Sequence, residues 1–189
     1  MKHLALIFFT AALPMTALPF QSKGADGWTT FASKTRGFSI LFPGTPKESQ
    51  DYLPIESTKI KTYGVTFQKA ESAFFILQIG DVPPDLIQRG LLNQLFENAY
   101  KLLLEYKTED GRTEIGEVSR TEIRLGDHPG YEYSSGCGPY KKNVEKCMTK
   151  LRVYKVGQRV YVVGLSGPAA QLPREDVERF FSSFRVDER

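Results

Sequence analysis

Two apolar runs on either side of Gly157-Gln158 limit the folds open to this chain more than any other stretch. From Lys150 to Gly167 the order is Lys-Leu-Arg-Val-Tyr-Lys-Val-Gly-Gln-Arg-Val-Tyr-Val-Val-Gly-Leu-Ser-Gly. Runs rich in Val, Leu and Tyr that meet at a two-residue break containing Gly predict an antiparallel hairpin rather than a helix. Leu151 and Val153 alternate with Arg152 and Tyr154 on the way in. Val160 and Val162 alternate with Tyr161, Val163 and Leu165 on the way back. A hairpin apolar on much of both faces is marginal alone, so it requires a wider sheet and covering helices.

The remaining segments supply candidates for that sheet. Trp28–Ala32 and Phe38–Phe42 have strand character, separated by a turn at Thr35-Arg-Gly37, and Phe38, Ile40 and Phe42 share a face at period two. Pro43 ends the second strand because it has no donor for a ladder. A polar connection follows. Residues 58–69 alternate, with a change of phase near Gly64 that predicts a bulge or bend. Phe74–Ile79 is apolar on both sides, which predicts an interior strand. Val118–Leu125, a turn over Gly126–Gly130, and Tyr131–Ser134 continue the series.

Two helices are expected. The first starts at Pro83-Pro84-Asp85, with Asp85 as cap and Gln88 completing a capping box. A stripe through Ile87, Leu91, Leu95, Ala99, Leu102 and Tyr106 carries it to Tyr106, roughly 30 Å at 1.5 Å per residue. The second follows Pro168, with Pro173 near its first turn and Val177, Phe180, Phe181 and Phe184 facing inward. The fold class expected is α+β: one antiparallel sheet of about 6 to 8 strands flanked by one long and one short helix.

The start of the chain bears on compartment. Met1-Lys-His3 followed by an apolar run from Leu4 to Leu18 has the form of a secretory leader. At about 15 residues the run is short of the roughly 20 that span a bilayer as a helix. Residues 1–25 are therefore assigned to a signal peptide, with cleavage between Leu18 and Asp26, and 26–189 to one domain. An exported protein, periplasmic or extracellular, with no transmembrane segment after processing is expected. The two cysteines, Cys137 and Cys147, fit an oxidising compartment and predict one disulfide closing a short loop. That loop carries Tyr140, Lys141, Lys142 and Lys146 against the single acid Glu145, which makes it a candidate contact for a partner protein or an anionic envelope component. A formal charge of +3 with scattered Lys and Arg gives no reason to expect nucleic acid.

The inventory for catalysis is thin. His128 is one of two histidines, the other being His3, and stands in a Gly-Asp-His-Pro-Gly turn with no nucleophile signature beside it. Asp127, His128 and Glu132 could offer ligands to a metal, but their spacing matches no zinc or calcium pattern. Nucleotide-binding loops and HExxH are absent from the sequence. No catalytic residue, metal or cofactor is expected. A binding or accessory module is the first expectation. A carrier enclosing a small apolar ligand between sheet and long helix is the alternative, and a hydrolase with a carboxylate pair assembled by folding is the remote one.

Trp28, the run Gly37-Phe-Ser-Ile-Leu-Phe-Pro-Gly-Thr-Pro46, the Gly126-x-x-Pro-Gly130 turn entering Tyr131-Glu132, Arg152 with Gly157-x-Arg-Val-Tyr161, and Phe180-Phe-Ser-Ser-Phe-Arg185 carry a resemblance. Together they resemble a group of exported bacterial proteins similar to the PsbP-like superfamily, over nearly the whole exported part. The resemblance implies an antiparallel sheet flanked by helices. It also implies docking or accessory roles, such as the extrinsic subunit of photosystem II, and no metal set that maps onto these residues. The motifs are turns, strands and a helix end, so they bear on fold more than on activity.

Overall fold

A computed structural model of the chain describes residues 19–55, 58–70, 73–91, 94, 97, 105–107, 113–115, 118–136 and 147–187. Its strands are β1 (Phe20–Lys23), β2 (Thr29–Ser33), β3 (Phe38–Phe42), β4 (Lys47–Ile55), β5 (Thr58–Ala70), β6 (Ala73–Asp81), β7 (Glu105–Lys107), β8 (Thr113–Ile115), β9 (Val118–Leu125), β10 (His128–Gly136), β11 (Cys147–Val156), β12 (Arg159–Pro168) and β13 (Arg185–Val186). The helices among the described residues are α1 (Pro84–Gln88) and α2 (Arg174–Ser183), and a single 3-10 turn covers Ala169–Gln171.

Seven strands form one antiparallel sheet in the order β4-β5-β6-β12-β11-β10-β9, and four form a second in the order β1-β2-β3-β13. The hairpin β11–β12 lies inside the larger sheet, pairing from Cys147↔Pro168 to Val156↔Arg159. On its outer flanks β12 pairs with β6 and β11 with β10. The expected α+β class therefore stands in its coarse form, with more sheet than the sequence suggested: a second sheet shares the task of covering the first with α2.

Both faces of the seven-stranded sheet carry a buried cluster. On one face Phe75, Leu77, Tyr161, Val163 and Leu165 meet Phe31, Phe38, Ile40 and Phe42 of the small sheet and Val177, Phe180 and Phe181 of α2. On the other, Ile60, Leu151, Val153, Val160 and Val162 pack with Val82 and with Leu86 of α1. Because side chains alternate across a strand, one hairpin supplies both cores.

The same alternation corrects one sequence expectation. β5 runs unbroken through Gly64, which pairs with both Ser49 and Gln78, and its irregularity falls later, between Gln68 and Ala70. The phase changes because Ile60 serves one core while Tyr63 and Val65 serve the other. No bulge is needed where both faces are apolar.

Three other expectations change. The segment taken as a polar connection is β4, exposed from Lys47 through Tyr52. An edge strand pairs on one side and leaves its side chains in water, so it lacks a hydrophobic signature. Its Lys47, Glu48 and Asp51 discourage a further strand from joining. The stretch Phe20–Lys23, placed within the leader, pairs along β2 from Phe20↔Ala32 to Lys23↔Thr29.

The helix expected from Leu86 to Tyr106 is not continuous. α1 ends at Gln88, Gly90 adopts φ 74°, and Tyr106 lies in β7 opposite Glu114 of β8. Helical backbone recurs at Gln94 and Glu97. A left-handed glycine after a helix end is the usual stop for an α-helix, and it overrides a stripe that continues at helical spacing. Pro83, not Asp85, occupies the cap position and no side chain caps it, with Pro84 in the first turn. Leu95, Ala99 and Leu102 lie outside the described residues. α2 begins at Arg174 with Pro173 at its cap, later than a start after Pro168, and buries Val177, Phe180 and Phe181 as expected.

Candidate functional site

At one end of the large sheet two turns and three strand ends surround an open cleft of about 660 Å³. Its walls come from the β2–β3 turn at Thr35–Gly37, Asp81 at the end of β6, His128 at the start of β10, the β11–β12 tip at Gly157–Gln158 with Arg159 and Tyr161 behind it, and Asp187 after β13. The volume lies within the roughly 300–1,000 Å³ of small-molecule sites. Two-residue hairpin loops need a left-handed residue, and Gly157 supplies it at φ 61°.

The cleft is held by hydrogen bonds that tie these turns together. Val82 donates its backbone N–H to the carbonyl of Gln158 at 2.7 Å, fixing the hairpin tip to the chain leaving β6. Arg159 and Asp81 face each other across β12 and β6, and Nε of Arg159 donates to Oδ1 of Asp81 at 2.6 Å. The same guanidinium donates through Nη1 to the carbonyl of Arg36 at 2.6 Å, and the hydroxyl of Tyr161 donates to that carbonyl at 3.0 Å. One carbonyl of the β2–β3 turn is thereby clamped by two side chains of β12. The carbonyl of Gly37 accepts from the backbone N–H of Asp187 at 2.9 Å, which brings the end of β13 into the rim.

The charges in the cleft differ in how they are compensated. Burial pushes the Tyr161 phenol up against the opposing pull of Arg159, so it remains a proton donor through neutral pH. Burial alone would lower the Arg159 guanidinium, but the Asp81 carboxylate and Tyr161 outweigh it and the net shift is upward. Arg36 instead lays its guanidinium over the ring of Tyr63, 3.9 Å from the centroid. Tyr63 in turn donates its hydroxyl to Glu48. Burial first, and then that hydrogen bond, drive the Tyr63 phenol far above its ordinary value. His128 lines the cleft with an Nε2 that is shielded from solvent and has no hydrogen-bond partner among the described residues.

Of the residues singled out in the sequence, His128 reaches this cleft and its neighbours do not join it as ligands. Asp127 sits in the β9–β10 turn, where its carbonyl accepts from Arg124 at 2.7 Å. Glu132 lies four residues along β10, about 13 Å at roughly 3.3 Å per residue. It is held there by Lys150 at 3.0 Å and Arg152 at 2.7 Å. No group of three His, Cys, Asp or Glu side chains is placed to hold a metal ion among the described residues. Cys137, Tyr140, Lys141, Lys142 and Lys146 lie outside the described residues, and Cys147 opens β11 opposite Pro168.

Arg36, Asp81, Arg159, Tyr161 and Asp187 were not singled out as site residues from the sequence. A signal was available: Gly37, the Gly126–Gly130 stretch and Gly157-x-Arg159-Val-Tyr161 are separated in the chain, and folding brings part of each to this cleft. Charged residues at strand ends beside such turns are solvated in most proteins, and pairing between strands was needed to see them converge. No protein-family model matches this chain, and no curated protein matches it. No helix of the described residues is long and apolar enough to cross a membrane.

Proposed function

We propose that this chain is an exported, non-catalytic binding module of the PsbP-like kind and that the cleft between the Thr35–Gly37 and Gly157–Gln158 turns is where it engages a protein partner. The observation that carries this reading is the cleft itself: open, walled by polar and charged groups, and braced by hydrogen bonds from Arg159 and Tyr161 to a single carbonyl. Preformed walls reduce the ordering that a partner must otherwise impose on binding. The form of the leader supports export, and the turn and strand motifs support the PsbP-like assignment. Acid–base chemistry is poorly served, since Asp81 is engaged by Arg159 and Glu132 by two cations.

The carrier reading is less well supported. It needs an enclosed apolar space of several hundred cubic ångströms on the α1 face. Among the described residues a pocket beside α1, around Ile60, Gly80, Val82 and Val162, is about 10 Å³. That is on the order of one water molecule. The Cys137–Cys147 loop, with Tyr140 and its three lysines, is a second contact in the proposed module, suited to an acidic patch on the same partner.

The test is retention of partners by the tagged, exported chain after crosslinking in cells. Gln158→Arg places a long cation at the exposed rim of the cleft without touching the Gln158 carbonyl. Loss of the retained partner with an unchanged melting midpoint is the expected result. Equal retention by a normally folded Gln158→Arg protein would overturn the assignment of the cleft. Changing Lys141, Lys142 and Lys146 together to Glu should weaken the same retention, more at low salt than at high.

A further inference from the structure

Arg36 and Asp187 border the same cleft, and neither forms an ion pair among the described residues. Their main chains are adjacent, since Asp187 donates to the carbonyl of Gly37 at 2.9 Å. Opposite charges at neighbouring surface positions ordinarily drift together when nothing competes. Here Arg36 is drawn onto the Tyr63 ring, 3.9 Å from its centroid, and interacts with the Tyr63 side chain rather than with Asp187. Asp187 is exposed.

The second pair of charges is already matched, with Arg159 on Asp81. Asp81 is 71% exposed against 29% for Arg159, so the carboxylate faces outward and the cation inward. Two cations and two anions therefore line the cleft, and it has no formal charge to attract a polyanion or a polycation. A ligand that satisfies Arg36 and Asp187 together must carry one negative and one positive group.

We propose that this cleft binds zwitterionic ligands, free α-amino acids or the ends of short peptides, with the ligand carboxylate on Arg36 and its ammonium on Asp187. The inference rests on the cleft being the recognition site proposed above and names the ligand chemistry for it. A planar guanidinium backed by an aromatic ring is weakly hydrated and matches a carboxylate in fork geometry. Asp187, with Asp81 beyond it on the rim, supplies acceptors for the N–H donors of an ammonium.

Alanine, dialanine and trialanine, each with its N-acetylated and C-amidated form, are the probes. They are titrated into the isotopically labelled exported chain while backbone amide shifts are followed. Saturable shifts confined to residues 35–37, 157–161 and 187 are expected for at least one unblocked probe. Acetylation and amidation should each weaken binding about tenfold or more, the loss that follows one charge-assisted hydrogen bond. Asp187→Asn should reproduce the effect of acetylation and Arg36→Gln that of amidation, each variant becoming insensitive to the matching block. Shifts elsewhere, equal binding of blocked and unblocked forms, or no binding at tens of millimolar would overturn the proposal. Retention of a protein partner that Gln158→Arg abolishes, in a chain that binds no unblocked probe, would reject the zwitterion alone. Probe binding without such loss would reject the partner reading alone.

Discussion

The two faces of the seven-stranded sheet each hold a buried cluster, and the two clusters are filled by different chemistry. The face under the small sheet and α2 is aromatic: Phe31, Phe38, Phe42, Phe75, Phe180 and Phe184 are among its fully buried side chains. Their rings contact one another in a chain, Phe42 to Phe180 at 5.5 Å, Phe180 to Phe75 at 5.0 Å edge-on, and Phe184 to Tyr161 at 5.6 Å. Among the described residues the opposite face is mostly aliphatic and branched, with Ile55, Ile60, Leu151, Val153, Val160 and Val162 and the single buried ring of Tyr133. Large rings span the gap to a second layer whose parts come from distant points in sequence, whereas branched residues cover the pleated surface of the sheet itself. Among the described residues both faces carry a buried cluster, and the open cleft lies at the sheet's end.

That contrast gives an ordering of mutational effects. Phe180→Ala should cost the most, about 3–5 kcal/mol, because it removes a ring that touches Phe42, Phe75 and Phe181 and leaves a cavity between rigid layers. Leu151→Ala on the aliphatic face should cost less, about 2–4 kcal/mol. Urea midpoints and slopes for both variants decide the order, and an equal or larger loss for Leu151→Ala would remove the distinction between the faces.

A second substitution sharpens the packing argument where no side chain exists to delete. A Cβ on Gly130 would stand 2.4 Å from the carbonyl oxygen of Val153 and 2.6 Å from the ring of Tyr154. Neither neighbour is a flexible tip, so Gly130→Ala should cost about 1–3 kcal/mol. A variant as stable as the parent would mean that β10 and β11 can separate without loss.

The charged pairs above the aromatic face come next. Burial opposes ionisation of Glu132, but Arg152 and Lys150 outweigh it and hold its carboxyl below the ordinary value of 4.5. A depressed carboxyl stabilises the folded chain fully above the unfolded value, and that contribution disappears as pH falls through the folded value. Glu132→Gln should therefore lower stability by about 1–2 kcal/mol at neutral pH and flatten the loss of stability below about pH 4.5. Thermal melts between neutral pH and about pH 3 measure both effects, and parallel curves would show that Glu132 carries no folding-linked proton. The smallest effect belongs to Asp26, whose exposed carboxylate pairs with Arg179 and is lowered chiefly by that hydrogen bond. Asp26→Asn should leave the midpoint where it is.

Legibility in the sequence followed burial. β3, the β11–β12 hairpin and α2 were visible because their apolar residues recur at the period of the element they form. β4 was invisible because an exposed edge carries no such period, and β1 because it follows an apolar run with the form of a leader. The helix stripe past Leu86 misled because spacing says nothing of Gly90, whose left-handed conformation ends α1. Of the cleft, His128 was legible as an isolated histidine. Arg36, Asp81, Arg159 and Asp187 were not, since a charge at a strand end looks the same whether it meets water or a partner from another strand. Residues 137–146 of the cysteine loop lie outside the described residues and stay on the footing their composition gives them.

The central claim is that recognition occurs at the sheet's end and not on its edges. A photo-crosslinking residue placed in turn at Gln158 in the cleft, at Tyr52 on the exposed edge of β4 and at Arg124 on β9 tests it directly in exporting cells. Crosslinks from Gln158 to a defined partner, abolished by Asp187→Lys and absent from the other two sites, are the predicted result. A partner captured from Tyr52 or Arg124 with none from Gln158 would contradict it.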